Sequence, residues 1–277
     1  MAAPGGPLVL HEMGGEPGAP VVLVCHATGF CARAYDRLAA ELARRHRVLG
    51  PDFRGHGESA AGPGAGFAWS ELAADLTAVC DFVTGELGAD GPVAAFGHSM
   101  GGAIVLLAQL ARPGLFAAGY LYEPVVLPTA VGKHSNRLAA AARRRRPSFS
   151  SRAEALARYA SRPPLDRLEA GVLADYVAHG FKEAAGGGVE LRCTPAVEAA
   201  TAEGAGEITV SDLAKVELRA EVACGGETGG AAVPSLWAPA IASGLRASYR
   251  GHATLGHFGP LEDPRRIGAE ALSFLAG

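Results

Sequence analysis

The 277-residue chain is poor in several things at once. Only 6% of its residues are aromatic, and its five cysteines, Cys25, Cys31, Cys80, Cys193 and Cys224, include no Cys-x-x-Cys pair. An odd, scattered set excludes a disulfide frame or a zinc knuckle and reads as reduced thiols acting as small core hydrophobes. Basic charge is not in surplus: 25 Lys and Arg face 28 Asp and Glu, a net charge of −3. That excludes the basic face of a nucleic-acid binder. No apolar run nears the roughly 18 residues of a membrane-spanning helix. Met1 to Gly6 has neither the positive n-region nor the apolar h-region of a secretory leader. The expectation is a cytoplasmic protein with no nucleic-acid or membrane partner.

What abounds is small. The 56 Ala, 38 Gly and 18 Pro make up two residues in five, so the 49% apolar fraction is swollen by alanine. Such bias can mark low complexity. Here the larger apolar residues gather into separate runs, which argues for a folded core.

Those runs alternate in type. Leu8 to Leu10 and Val21 to Cys25 read as strands joined by a turn containing Gly14, Gly15, Pro17 and Gly18. Tyr35 to Arg45 has helical spacing, with Leu38 and Leu42 on one face. Val48 and Leu49 start a third strand, which leads into Asp52 to Gly57. A helix follows from about Trp69 to Leu87, then a strand from Val93 to Phe96 and a helix from Gly102 to Leu110. This last helix is apolar on nearly every side and therefore buried. Ala118 to Tyr122 is a further strand. Strand–helix alternation predicts a mostly parallel sheet covered on both faces, with ligands beyond the carboxyl ends of its strands.

From Val126 to Lys215 the pattern changes. Strands disappear, and weakly amphipathic helices take over at Asn136 to Arg146, Arg152 to Ser161 and Leu165 to Phe181. Alternation resumes with a strand at Ala220 to Cys224, a helix near Leu236 to Gly244, a strand near Ala247 to Tyr249 and a last helix from Pro264 to Leu275. Residues 1–125 and 216–277 then form one core, and 126–215 form a helical cap over the strand ends. The basic run Arg143 to Arg146 reads as a solvated helix face.

Gly97-His98-Ser99-Met100-Gly101 fits G-x-S-x-G directly after one strand and at the opening of a buried helix. A serine at the tip of so sharp a turn needs glycine on both sides, because a Cβ does not fit there. The helix N-terminus aims free N–H groups at the same point, and the N–H of Met100 is an oxyanion donor by position. A serine hydroxyl needs a base. Of nine histidines, His257 follows a late strand and precedes the last helix, which places it beside the strand ends. His252 is the weaker alternative. His98 reads as turn packing, His26 and His56 as structural hydrogen-bonders, and His11, His46, His134 and His179 as surface residues.

With these residues in place, the chain resembles the α/β-hydrolase family in its serine-nucleophile, capped branch. His26-Ala27-Thr28-Gly29-Phe30 stands where the family has its His-Gly oxyanion loop, with Ala27 in place of the usual glycine. Asp52-Phe53-Arg54-Gly55-His56-Gly57-Glu58-Ser59 is similar to the D-x-R-G-x-G-x-S turn. Gly97 to Gly102 resembles the nucleophile elbow, and Gly256-His257-Phe258 with Glu262 and Pro264 resembles the C-terminal histidine loop. The resemblance implies an eight-stranded sheet with the cap inserted after the sixth strand, and Thr28 as the second oxyanion donor. It implies His257 as general base and a carboxylate to orient it.

Two glutamates are candidates for that acid. Glu123 ends the strand Ala118 to Tyr122, the place some family members use, and Pro124 fixes its exit. Glu227 lies in Cys224-Gly225-Gly226-Glu227-Thr228-Gly229, one residue early for the family's Gly-x-x-Asp turn. The implied chemistry is cleavage of a small carboxylic ester, thioester or lactone through an acyl-enzyme. The same scaffold also runs C–C bond hydrolysis and acyl transfer, or serves as a ligand receptor with little turnover. No metal-ligand spacing or dinucleotide fingerprint appears, so no cofactor is expected. The partner is a small acyl substrate, and the protein is a monomer or homodimer.

Overall fold

The computed structural model describes residues 1–89, 91–128, 137–226 and 234–277. Its first part runs β1 (Leu10–Gly14), β2 (Val21–Cys25), α1 (Asp36–Leu42), β3 (Arg47–Pro51), α2 (Trp69–Gly85), β4 (Val93–His98), α3 (Met100–Ala111) and β5 (Phe116–Tyr122). An intervening block holds α4 (Arg137–Arg143), β6 (Ser148–Phe149), α5 (Arg152–Ala160), α6 (Ala170–His179), β7 (Phe181–Glu183), β8 (Val189–Leu191) and α7 (Pro195–Glu203). The chain then returns through β9 (Arg219–Gly225), α8 (Ala238–Leu245), β10 (Ser248–His252), α9 (Gly259–Glu262) and α10 (Pro264–Leu275).

The main sheet has the order β1-β3-β2-β4-β5-β9-β10. Only β1 runs antiparallel, against β3; the other pairs are parallel. Burial explains the composition of its central strands. Every residue of β2, Val-Val-Leu-Val-Cys, is buried. Its odd positions, Val21, Leu23 and Cys25, pack with α2, α3 and α8. Val22 and Val24 pack with α1 and α10 on the opposite face. A strand covered on both faces reads as a continuous apolar run. The same logic accounts for α3, where nine of twelve residues are buried. All five cysteines are free and buried. Among the described residues no helix is long and apolar enough to cross a membrane.

Three expectations need correction. The described sheet has seven strands, not eight, because a single strand, β1, precedes β2. The intervening block accordingly leaves after the fifth strand in chain order, not the sixth. Nor do strands disappear within it. Three two- to three-residue strands form a small antiparallel sheet, β6-β8-β7, too short to show a period of two in sequence.

Arg143 to Arg146 is also not one solvated face. Arg143, Arg144 and Arg146 are exposed, but Arg145 turns inward. Its guanidinium donates to Glu198 Oε2 at 2.7 Å and to the hydroxyls of Tyr159, at 3.2 Å, and Tyr176. Burial works against its charge, yet Tyr176, Glu198 and Tyr159 outweigh that and hold its pKa well above the usual value.

Candidate active site

Ser99 sits between the end of β4 and the start of α3 with φ 55° and ψ −118°, a conformation a non-glycine residue holds only under constraint. The constraint is visible. The Ser99 N–H donates to Tyr122 O at 3.0 Å, and its carbonyl accepts from Ala103 at 3.2 Å and Val125 at 3.2 Å. A Cβ on Gly97 would lie 2.6 Å from Gly102 Cα, and one on Gly101 would lie 2.1 Å from the Cys25 carbonyl oxygen. The two glycines therefore let β4, α3 and the loop after β2 meet at one point.

The remaining groups converge on that point from distant parts of the chain. His257 Nε2 lies 3.1 Å from Ser99 Oγ, and His257 Nδ1 lies 2.6 Å from Glu123 Oε2. Glu123 is almost fully buried and its other oxygen, Oε1, accepts the Gly225 N–H at 2.8 Å. Its backbone is left-handed, φ 43°, and its N–H donates to Ala223 O at 2.8 Å. This placement follows from sheet order. Because β5 pairs with β9, in register Tyr122 to Ala223, the residue after Tyr122 emerges beside the end of β9. Glu123 is thus seated against His257. Glu227 lies outside the described residues, as does His134.

Met100 is the first residue of α3, so its N–H has no intrahelical acceptor. Thr28 lies in the loop that Gly101 admits against α3. Ala27 and Phe30, flanking it, have their N–H groups taken by Tyr35 Oη at 3.1 Å and by Ala27 O at 3.2 Å. The His257 loop is held in turn. The Gly256 N–H donates to both Glu262 oxygens at 3.1 and 3.2 Å, and Tyr122 Oη donates to Gly256 O at 2.9 Å.

The other histidines divide clearly. His252 is buried and bonded to Glu270 at 2.6 Å and Cys224 O at 3.1 Å, so it is committed elsewhere. His98 does more than fill the turn. Its Nδ1 lies 2.7 Å from Tyr35 Oη and its Nε2 lies 2.8 Å from His257 O. His26 donates from Nδ1 to Ala27 O at 2.9 Å and accepts the Phe53 N–H at Nε2, 3.1 Å away. His56 bonds Arg54 O at 3.1 Å through Nδ1, while its Nε2 has no partner among the described residues. Two expected surface histidines are not on the surface. His46 is buried, and half-buried His11 pairs with Asp52 Oδ2 at 2.8 Å. His11 lies within β1 itself, and His46 lies in the turn that joins α1 to β3.

Burial, reinforced for His26 by the nearby His56, pushes the His26 pKa down to about 3. Burial likewise lowers His56, and it holds His98 well below the ordinary range with help from His257. All three are neutral in the fold, whereas the unfolded chain protonates them near the ordinary 6.5. Stability is therefore unaffected above about pH 6.5 and is lost as pH falls from there through the folded values. His26 alone contributes a loss of about 2 kcal/mol at pH 5. His11 has the opposite sign. Raised chiefly by its hydrogen bond to Asp52, it contributes below 6.5 and loses that contribution as pH rises through its folded pKa. Burial lowers His46 as well, so with four histidines against one the urea midpoint is expected to drop clearly between pH 7 and pH 5. A flat midpoint over that interval would contradict the buried neutral state.

Comparisons with known proteins agree with this architecture. A family model described as serine aminopeptidase, S33, matches residues 16–170. Over 99 residues, 36% of the chain, the sequence is 33% identical to the magnesium-chelatase 30 kDa subunit of Rhodobacter capsulatus. Over 118 residues, 42% of the chain, it is 35% identical to lipase LipV of Mycobacterium tuberculosis. The matches span 33% and 42% of those two relatives' own lengths. In fold, the chain is similar to the peroxisomal α/β-hydrolase Lpx1 of Saccharomyces cerevisiae, with TM-score 0.77 at 17% identity, covering 97% of this chain and 82% of that one.

Proposed function

Because the chain belongs to the serine aminopeptidase S33 family of α/β-hydrolases, we propose that it is a serine hydrolase of small carboxylic esters, or of the related thioesters and lactones. One observation carries the reading: the unbroken line Ser99 Oγ, His257, Glu123, at 3.1 and 2.6 Å. Nucleophile, base and orienting acid at hydrogen-bond distance are what acyl transfer requires.

In this reading Ser99 Oγ attacks the acyl carbonyl while His257 Nε2 takes its proton. Glu123 holds the Nδ1–H and stabilises the imidazolium. The oxyanion is received by the N–H groups of Met100 and Thr28. Collapse breaks the bond to the alcohol oxygen, which leaves with the proton from His257. Water then attacks the acyl-enzyme, giving its proton to His257, and the acid departs as Ser99 recovers its hydrogen. Residues 126–215 act as the cap. Supporting that role, Tyr176 of α6 donates to Gly29 O at 3.1 Å, and Val197 of α7 lies against Gly55.

A fluorophosphonate probe tests the reading. The wild-type chain is expected to be labelled at Ser99, with labelling lost in Ser99→Ala. A panel of acyl esters of graded chain length then fixes the preferred substrate. A folded wild-type chain that takes no Ser99-dependent label is instead a receptor on a hydrolase scaffold.

A further inference from the structure

The loop that carries Thr28 is short, and its geometry is set by two tyrosines that come from different parts of the fold. On one side, Tyr35 is wholly buried at the entrance to α1. Its hydroxyl accepts the Ala27 N–H at 3.1 Å and lies 2.7 Å from His98 Nδ1. The direction of the second bond is decided by the other end of the ring. His98 Nε2 faces the His257 carbonyl at 2.8 Å, and a carbonyl only accepts, so Nε2 carries the hydrogen. His98 is neutral, which leaves Nδ1 bare to accept from Tyr35. Every hydrogen in the line from Ala27 N–H through Tyr35 and His98 to the His257 carbonyl then has one donor and one acceptor.

On the other side, Tyr176 is buried in α6 and its hydroxyl donates to Gly29 O at 3.1 Å. That hydroxyl in turn accepts from Arg145, which Glu198 neutralises at 2.7 Å. The residues flanking Thr28 are thus each tied to a buried phenol, one from the sheet side and one from the inserted block.

We propose that Tyr35, through His98, and Tyr176, through Arg145, are positioning residues that hold the Thr28 N–H in place as an oxyanion donor. The inference rests on the hydrolase reading above. It goes further in making the inserted block part of the oxyanion hole, and in tying the oxyanion loop to the His257 loop through one neutral imidazole. Neither tyrosine touches the reacting atoms. Each acts by keeping a peptide group within the narrow tolerance that transition-state hydrogen bonding needs.

The test is kinetic, on Tyr35→Phe and Tyr176→Phe, each losing one oxygen atom. Activity is measured on the best ester of the panel and normalised to sites counted by exhaustive fluorophosphonate titration, so that misfolded molecules do not enter. Per-site kcat is expected to fall about 10- to 100-fold in each variant, with KM within about threefold, because the donor acts in the transition state. Affinity for an aryl boronic acid, whose tetrahedral adduct fills the oxyanion position, is expected to weaken by a similar factor. A merely structural role would lower the melting temperature while leaving per-site kcat and boronate affinity unchanged, and that result overturns the inference alone. A wild-type chain with no Ser99-dependent turnover overturns the hydrolase reading and the inference with it. Should Tyr35→Phe fail to fold, Tyr176→Phe decides by the same two readouts.

Discussion

Replacing Ser99 with alanine is expected to lower kcat on the preferred ester by about 10⁵- to 10⁶-fold, the scale at which members of a nucleophile–base pair act as a unit. The backbone supports a clean comparison. Ser99 is held by its own N–H and carbonyl through Tyr122, Ala103 and Val125, so removing Oγ leaves the elbow in place. His257→Ala is expected to cost nearly as much, and the double variant little more than either single one. Additive losses would mean that the two groups, 3.1 Å apart, do not work in one step. Steady-state kinetics on purified variants of unchanged melting temperature settle the matter.

The second large effect is expected at Glu123. Glu123→Gln should reduce kcat about 10⁴-fold, as when an orienting carboxylate becomes an amide and the imidazole is held in the wrong tautomer. The geometry makes this sharp. Oε1 is taken by the Gly225 N–H at 2.8 Å, so the substituted side chain keeps its oxygen there and presents its NH₂ to His257 Nδ1. Glu227→Gln is expected to stay within about threefold of wild type, since Nδ1 already has its carboxylate at 2.6 Å. If Glu227→Gln instead shows the larger loss, Glu123 is not the acid.

Much of this site is legible in the sequence because its demands are local. A serine between glycines after an apolar strand declares a strained turn, since Cys25 O leaves no room for a Cβ at position 101. Val21 to Cys25 and Met100 to Ala111 announce burial through their own side chains. Arg145 was not legible. Its neighbours Arg143, Arg144 and Arg146 are exposed as a charge run should be, and only the packing of α5, α6 and α7 around it supplies Tyr159, Tyr176 and Glu198. Tyr35 and His98 were equally silent, because nothing near either in sequence says that they face each other across 63 positions. The short strands β6 to β8 left no periodic trace.

The sequence by itself determined the layered architecture and singled out Ser99 and His257 as candidates for nucleophile and base, since periodicity, glycine sterics and element order are properties of short stretches of chain. It left two glutamates in contention for the acid, Glu123 ahead of Glu227, 104 positions apart in a linear string. The tertiary structure brought one of them to His257. Parallel pairing of β5 beside β9 sets the residue after Tyr122 beside the end of β9, where the Gly225 N–H meets Glu123. Sheet order is set by the sum of many long-range contacts, and no local pattern encodes it.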